Sequence, residues 1–216
     1  QFDSEDGYVI IERNSFGFST NDSVAKNEYV PIVDSEEEKQ KISEDYKKFI
    51  SIKTDRNDLD NVISDSCFLT EYIWSKFSKT GPDNAINNTM STYEILKLIG
   101  KKVGKVQCSG TRDLFIKLSR ILNLHIPVRK VEAFRYYPEI KNVVVNSHSI
   151  LEVKVNDKWM LFDPFVRVIF KSTETNSYLS ASDIKQLMLL NKLTYIKPIH
   201  IKTVHPERND FNIESD

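Results

Sequence analysis

Apolar residues recur at intervals of three or four in several stretches between residues 35 and 123, which is the period of amphipathic helices. Ser35 with Glu38, and Ser91 with Glu94, form the capping-box pattern that starts a helix. The second apolar stretch carries Cys67 on its apolar face. We therefore predict four helices, over about residues 35–51, 58–79, 91–99 and 108–123.

The pattern changes to the alternation and β-branched composition of strands after residue 126. Asn156 and Asp157 separate two of these stretches and are typical of a two-residue hairpin turn. Farther on, Ser180 and Asp183 can cap a helix that continues to residue 193. We predict strands over residues 127–133, 147–155 and 158–162, and an edge strand, broken by Pro198, over 195–204. Helices followed by strands favour an α+β fold, in which an antiparallel sheet packs on the fourth predicted helix.

The composition narrows the classes of function. The chain has 216 residues, of which 40% are hydrophobic, and this is enough for one substantial core. Its net charge of −1 provides no positive field for a phosphate backbone, so we expect no nucleic-acid partner. No apolar run approaches the roughly 18 residues that would span a bilayer, so we expect no transmembrane segment. The chain begins with Gln1 and not with Met, which favours a secreted or periplasmic protein over a cytoplasmic one.

The cysteines and histidines make a metal site unexpected. Two cysteines, Cys67 and Cys108, exclude a disulfide-stapled scaffold and every four-cysteine metal site. The four histidines lack the close spacing of zinc ligands, and no acidic loop has the spacing that binds calcium. We therefore predict no metal and no cofactor. Free cysteines on apolar helix faces are usually buried, so Cys67 is interpreted as structural.

Cys108 has a different setting, because it stands where the fourth predicted helix begins. A thiol is a good nucleophile only as a thiolate, and the free N–H groups and peptide dipoles of a helix start favour that negative charge. The small residues Ser109 and Gly110 leave room for a substrate carbonyl. A cysteine at a helix start can also be a packing residue, so this feature alone does not decide between the two interpretations.

The hairpin register brings a histidine and an aspartate together. If Asn156 and Asp157 form the turn, facing residues have numbers that sum to 313, and Asp163 then faces Ile150. His148 is two residues from Ile150, so it lies on the same side of the sheet and is the diagonal neighbour of Asp163. A carboxylate on one imidazole nitrogen orients the ring and leaves the other nitrogen for a thiol.

These residues also carry a family resemblance. Gln107-Cys108 opens a helix, Ile126-Pro127-Val128-Arg129 follows, then come His148 with Glu152-Val153, and finally Lys158-Trp159 with Asp163-Pro164. In this order the chain resembles the transglutaminase-like superfamily over about residues 58–170. The resemblance implies a papain-like core with Cys108 as nucleophile, His148 as acid and base, and Asp163 as the residue that orients His148.

The resemblance does not define the residues of the substrate cleft. An aromatic residue commonly follows the histidine in this family, whereas Ser149 and Ile150 stand here. The oxyanion would be held by the Cys108 backbone N–H and one further donor, for which Gln107 is a candidate that can equally face solvent. Three other residues at motif positions are interpreted as structural rather than catalytic: Arg129, Glu152 and Trp159.

The predicted organisation has three parts. Residues 1–57 form an N-terminal extension with a helix, and strand-like pieces are expected at Tyr8–Glu12 and at 29–33. Residues 58–170 form the transglutaminase-like core. Residues 171–216 contribute the C-terminal helix, the edge strand and a tail.

The predicted activity is that of a cysteine enzyme that acts on amide or peptide bonds through a thioester, by hydrolysis as a peptidase or amidase. The alternatives are a protein-glutamine transamidase or deamidase, and a binding module that has the fold without turnover. The expected partner is a protein or peptide substrate, which can carry a glycan. The sequence does not indicate an oligomeric state.

Overall fold

The computed structural model describes residues 8–12, 33–51, 61–76, 90–100, 107–137 and 142–201. Helices occupy the first part of the described chain and strands most of the second part, so the α+β prediction is confirmed. The helices of the first part are α1 (Glu36–Ser51), α2 (Asn61–Lys76), α3 (Thr92–Gly100) and α4 (Cys108–Ile121). Their positions agree with the apolar periodicity of the sequence.

Two capping boxes form as predicted. The Ser35 N–H donates to a Glu38 carboxylate oxygen at 2.8 Å, and the Glu38 N–H donates to Ser35 Oγ at 3.2 Å. Ser91 and Glu94 repeat the same exchange, at 2.9 and 3.1 Å. These bonds satisfy N–H groups that the first turn of each helix leaves without a partner inside the helix.

The strands form one antiparallel sheet whose order follows the sequence. The strands are β1 (Tyr8–Glu12), β2 (Val128–Tyr137), β3 (Asn142–Val155), β4 (Lys158–Asp163), β5 (Val168–Ser172) and β6 (Ile196–His200). The predicted edge strand is present as β6, but Pro198 does not break it, since the pairing with β5 continues through this residue; an edge strand tolerates a proline. At the opposite edge, β1 pairs with β2. The N-terminal extension therefore contributes a strand to the same sheet as the predicted core.

The sequence-based prediction and the structure differ in coverage at β5, at residues 29–33 and at the C-terminal tail. No strand was predicted for β5, although Val168-Ile169-Phe170 has strand-like composition. The predicted strand at 29–33 falls outside the described residues except for Val33, which is not in a strand. The tail at the C-terminus also falls outside them, because the description ends at residue 201.

The C-terminal helix α5 (Ala181–Leu189) is shorter than predicted. Its start has the expected capping box of Ser180 with Asp183. Its end was predicted at residue 193, but Asn191 has a φ of 55° and stops the helix. The N–H groups of Asn191 and Lys192 donate to carbonyls of the last turn, a Schellman arrangement that apolar periodicity does not reveal.

The two faces of the sheet have separate cores. The larger core joins α1 to α4 with one face of the β3–β4 hairpin, whose residues are Leu151, Val153, Val155, Met160 and Phe162. The other face carries Ile150 and Leu161, which pack with Ile184 of α5. The five apolar residues that the hairpin contributes to the larger core are those that the predicted register places on one side, so the register explains how this face of the sheet is covered.

The hairpin has the predicted register. Leu151 faces Phe162 and Val155 faces Lys158, and the intervening pairs keep the same sum of residue numbers. Asn156 and Asp157 have φ values of 47° and 64°, which are typical of a type I′ turn.

No helix in the described part of the chain is both long and apolar enough to cross a membrane.

Candidate active site

Cys108 is the first residue of α4. This helix is packed by other elements along its length, and its Phe115 ring lies 5.5 Å from the ring of Phe162 on β4. Phe162 precedes Asp163, so this contact fixes the start of α4 relative to the end of β4. Packing in the core therefore determines how the thiol meets the sheet.

The Cys108 thiol contacts β3. The pKa of this thiol is below that of an ordinary thiol, and its interaction with the His148 side chain is the largest cause. Partial burial opposes the shift, whereas the backbone N–H groups of Ser149 and Ser109 also stabilise the thiolate. The helix start and the imidazole thus both lower the pKa of the Cys108 thiol.

His148 lies between Cys108 and Asp163. Its Nε2 is hydrogen-bonded to Asp163 Oδ2, so Nδ1 is the ring nitrogen left for the thiol. Burial is the largest single influence and lowers the imidazole pKa, but the bonds to Asp163 and Cys108 and their charges outweigh it. The pKa of His148 is raised to about 10. The arrangement favours a thiolate beside an imidazolium.

Asp163 is fixed by the backbone that follows it. Its Oδ1 accepts hydrogen bonds from the N–H groups of Phe165 at 2.9 Å and Val166 at 3.1 Å. Its other oxygen is then directed at His148. The carboxylate is almost fully buried, so these three bonds replace the water that it loses.

Residues that the sequence pattern did not predict as part of the site support the turn that follows Asp163. The Trp74 indole N–H on α2 donates to the Pro164 carbonyl at 2.8 Å. The Phe165 ring lies 6.4 Å from the Trp74 ring and 6.1 Å, edge to face, from the His148 ring. The Arg167 guanidinium lies 4.7 Å from the centre of the Trp74 ring. The sequence pattern identifies Trp74 and Phe165 only as apolar residues. It does not predict that they meet, because some ninety positions separate Trp74 from this turn.

A sheet irregularity adjoins His148. Phe134 pairs with Ser147 but Arg135 pairs with Val144, so β3 has two residues there without a partner on β2. Bulges of this kind increase local twist and redirect side chains, and they are frequent next to active sites. His148 is the second residue beyond the irregularity. The sequence pattern does not predict this irregularity.

The oxyanion candidate Gln107 is the N-cap residue of α4. It is exposed and extended, and its side chain makes no hydrogen bond to the helix start. Its carbonyl accepts from the Thr111 N–H at 2.8 Å and from Thr111 Oγ1 at 3.0 Å. The Gln107 side chain therefore has no capping role, and an oxyanion role for Gln107 stays a prediction.

The charged residues at motif positions pair as expected of structural groups. Glu152 is fully buried, and it is ion-paired with Arg129 and accepts the Ala181 N–H at 2.6 Å. The Arg129 guanidinium also lies 4.5 Å from the centre of the Trp159 ring. Both contacts fit the structural interpretation of Arg129, Glu152 and Trp159.

The other thiol and the remaining histidines are separate from this site. Cys67 packs against the larger core, and burial raises the pKa of its thiol to about 12. His125 and His200 are exposed, and His205 falls outside the described residues. In the described part of the chain, no group of three or more histidine, cysteine or acidic side chains could hold a metal ion.

Comparisons with known proteins give no family for this chain. No family model matches it, no curated protein matches it, and no solved structure matches it.

Proposed function

We propose that this protein is a cysteine enzyme of the transglutaminase-like type that breaks amide or peptide bonds through a thioester. Cys108 is the nucleophile, His148 is the acid and base, and Asp163 orients His148 and stabilises its positive form. The observation that carries the proposal is the row of side chains from Cys108 through His148 to Asp163: His148 Nε2 is hydrogen-bonded to Asp163 Oδ2, and the same imidazole is the main cause of the lowered pKa of the Cys108 thiol. Such rows are characteristic of activated nucleophiles.

The first half of the reaction forms the thioester. The Cys108 thiolate attacks the carbonyl carbon of the amide, and the carbonyl oxygen becomes an oxyanion near the N–H groups at the start of α4. The carbon–nitrogen bond then breaks, and the leaving amine takes its proton from the His148 imidazolium. The products of this half are a free amine and an acyl group on Cys108.

The second half releases the acyl group. His148, now neutral, accepts a proton from water as the water oxygen attacks the thioester carbon. The carbon–sulfur bond breaks, a carboxylic acid leaves, and the proton on His148 restores the imidazolium beside the thiolate. Asp163 keeps the ring in one orientation throughout the reaction.

Two features favour an enzyme over a binding module with the same fold. A histidine with a pKa near 10 and a thiol with a lowered pKa form a pair that packing alone does not require. Cys67 in the same chain is the contrast, since burial without a partner raises its pKa. The order of Cys108, His148 and Asp163 along the chain also agrees with the transglutaminase-like resemblance.

The acceptor of the acyl group separates hydrolysis from transfer. Water resolves a thioester unless the site excludes it, so hydrolysis is the first reaction to test. Transamidation and glutamine deamidation use the same thioester and differ only in the acceptor or the amide attacked.

The test is product analysis by mass spectrometry. Mixed glutamine-containing peptides are incubated with the protein, with and without a primary amine, and cleavage, deamidation and amine incorporation are scored separately. We expect products with the wild type and with Cys67→Ala, and none with Cys108→Ala. Turnover by Cys108→Ala at the wild-type rate would refute the proposed nucleophile.

A further inference from the structure

Arg167 is a buried cation close to the candidate site. It ends the turn at residues 164–167, which begins directly after Asp163 and leads into β5. Only 9% of its surface is exposed, and its φ of 60° is in the left-handed region that bulky residues rarely adopt. Backbone strain of this kind persists where the surrounding structure enforces it, and it is frequent at functional sites.

Among the residues that the structure describes, the Arg167 guanidinium contacts an aromatic ring and no carboxylate. In the described ranges it lies on the Trp74 ring and is in no ion pair, and the pKa of the guanidinium is lowered by burial. Arg112 and Arg129 differ, because Asp113 and Glu152 neutralise them. A buried charge without a counter-ion is unfavourable, so a site that retains one is suited to an anion from outside.

The chemistry of guanidinium defines the anion. Its planar fork of N–H donors matches the two oxygens of a carboxylate, and stacking on an indole holds the fork in one plane. The same Trp74 ring contacts Phe165, whose ring contacts His148. A ligand bound by Arg167 would therefore lie beside the turn at residues 164–167, which follows Asp163.

We propose that Arg167 binds a carboxylate of the substrate, so that the preferred acyl donors are acidic peptides with a free carboxylate near the amide that Cys108 attacks. The proposal rests on the proposed function, because it assigns a substrate class to the same site. Trp74 serves as the platform that holds the guanidinium.

The test uses alkylating reagents as small substrate mimics. A set of iodoacetyl amino-acid and dipeptide reagents is prepared with the carboxylate at three distances from the reactive carbon, each with its primary amide as partner. The rate at Cys108 is measured for each pair by peptide mass spectrometry. Each acid-to-amide ratio is divided by the ratio for N-acetylcysteine, which removes the intrinsic difference between the reagents.

We expect the wild type to prefer the acid at one of the three distances by about tenfold, the effect of one charge-assisted bond of about 1.4 kcal/mol. Arg167→Met should lose this preference, because it keeps an unbranched apolar stem and removes the guanidinium. Lys171→Met is the matched control, since Lys171 is also a cation over an aromatic ring, that of Tyr178. His148 is present in every variant, so its charge does not account for a difference between them.

Two results would overturn the proposal. One is a wild type that shows no acid preference at any distance, and the other is an equal preference in wild type and Arg167→Met. If Arg167→Met unfolds, as rapid labelling of Cys67 would reveal, the same comparison is made with Arg167→Gln. Failure of the proposed function would look different, because Cys108 would then label no faster than Cys67 with any reagent.

Discussion

At the scale of single residues, two cysteines of one chain have opposite chemistry because of their neighbours. Burial alone raises the pKa of Cys67, whereas the His148 bond and backbone N–H groups lower that of Cys108. Asp163 in turn stabilises the positive form of His148. The sequence predicted this difference from the position of Cys108 at a helix start and from the matching sides of His148 and Asp163.

Replacement of Asp163 by asparagine should lower the pKa of His148. The amide can still accept the N–H groups of Phe165 and Val166, but it lacks the charge that raises the imidazole pKa to about 10. The imidazolium is then lost at a lower pH than in the wild type. Titration of the His148 ring protons by NMR, assigned with His148→Ala, measures the shift.

The control for this titration is Asp157→Asn, which changes an exposed aspartate in the hairpin turn. It should leave the His148 titration unchanged. An Asp163→Asn protein in which His148 titrates as in the wild type would show that the carboxylate does not support the imidazolium.

At the scale of elements, local patterns predicted the helices well and contacts between distant elements poorly. Capping boxes and apolar periodicity located α1 and α3, and the Asn156-Asp157 turn fixed the β3–β4 register. The end of α5 was wrong, because a left-handed Asn191 rather than the end of the apolar pattern stops it. The bond from Trp74 to the Asp163 turn was not predictable, since it joins α2 to residues far along the chain.

The Trp74 bond should matter for the candidate site as well as for stability. Trp74→Phe keeps an aromatic ring beside Phe165 and Arg167 but removes the N–H that holds the Pro164 carbonyl. The loss of one hydrogen bond should lower the free energy of unfolding by about 1 kcal/mol. The freed turn should also hold Asp163 less well, so the labelling of Cys108 near neutral pH should slow several-fold.

The matched control is Trp159→Phe, because the Trp159 ring contacts the Arg129 guanidinium and not the Pro164 carbonyl to which Trp74 donates. It should leave the pH profile of Cys108 labelling unchanged even if stability falls. A Trp74→Phe profile identical to that of Trp159→Phe would limit Trp74 to a packing role.

At the scale of the whole molecule, the site joins the start of α4 to β3 and to the end of β4. Core packing of Phe115 on Phe162 sets the position of the Cys108 helix, and Trp74 fixes the turn after Asp163. The other face of the sheet is held by Glu152, which links β2 through Arg129 and the start of α5 through Ala181. The α+β architecture was predictable from the order of helices and strands, whereas β5 and the second core depend on packing that periodicity does not encode.

Glu152 should be important for stability and unimportant for thiol chemistry. Glu152→Gln leaves the Arg129 guanidinium without its buried counter-charge, which should lower the free energy of unfolding by about 3 kcal/mol in urea titrations. The pH profile of Cys108 labelling should be unchanged, because Glu152 is not among the groups that shift the Cys108 pKa. Glu174→Gln, at an exposed position, is the control. A Glu152→Gln protein as stable as that control would contradict the structural role.

The central claim is that His148 holds Cys108 as a thiolate, and the most direct measurement is iodoacetamide labelling of both thiols as a function of pH. We expect Cys108 to label well below about pH 7, where an ordinary thiol is protonated, while Cys67 stays unreactive in the folded protein. His148→Ala should shift the Cys108 curve to higher pH, because the largest cause of its lowered pKa is removed. Equal, slow labelling of the two cysteines, or an unchanged Cys108 curve in His148→Ala, would contradict the account.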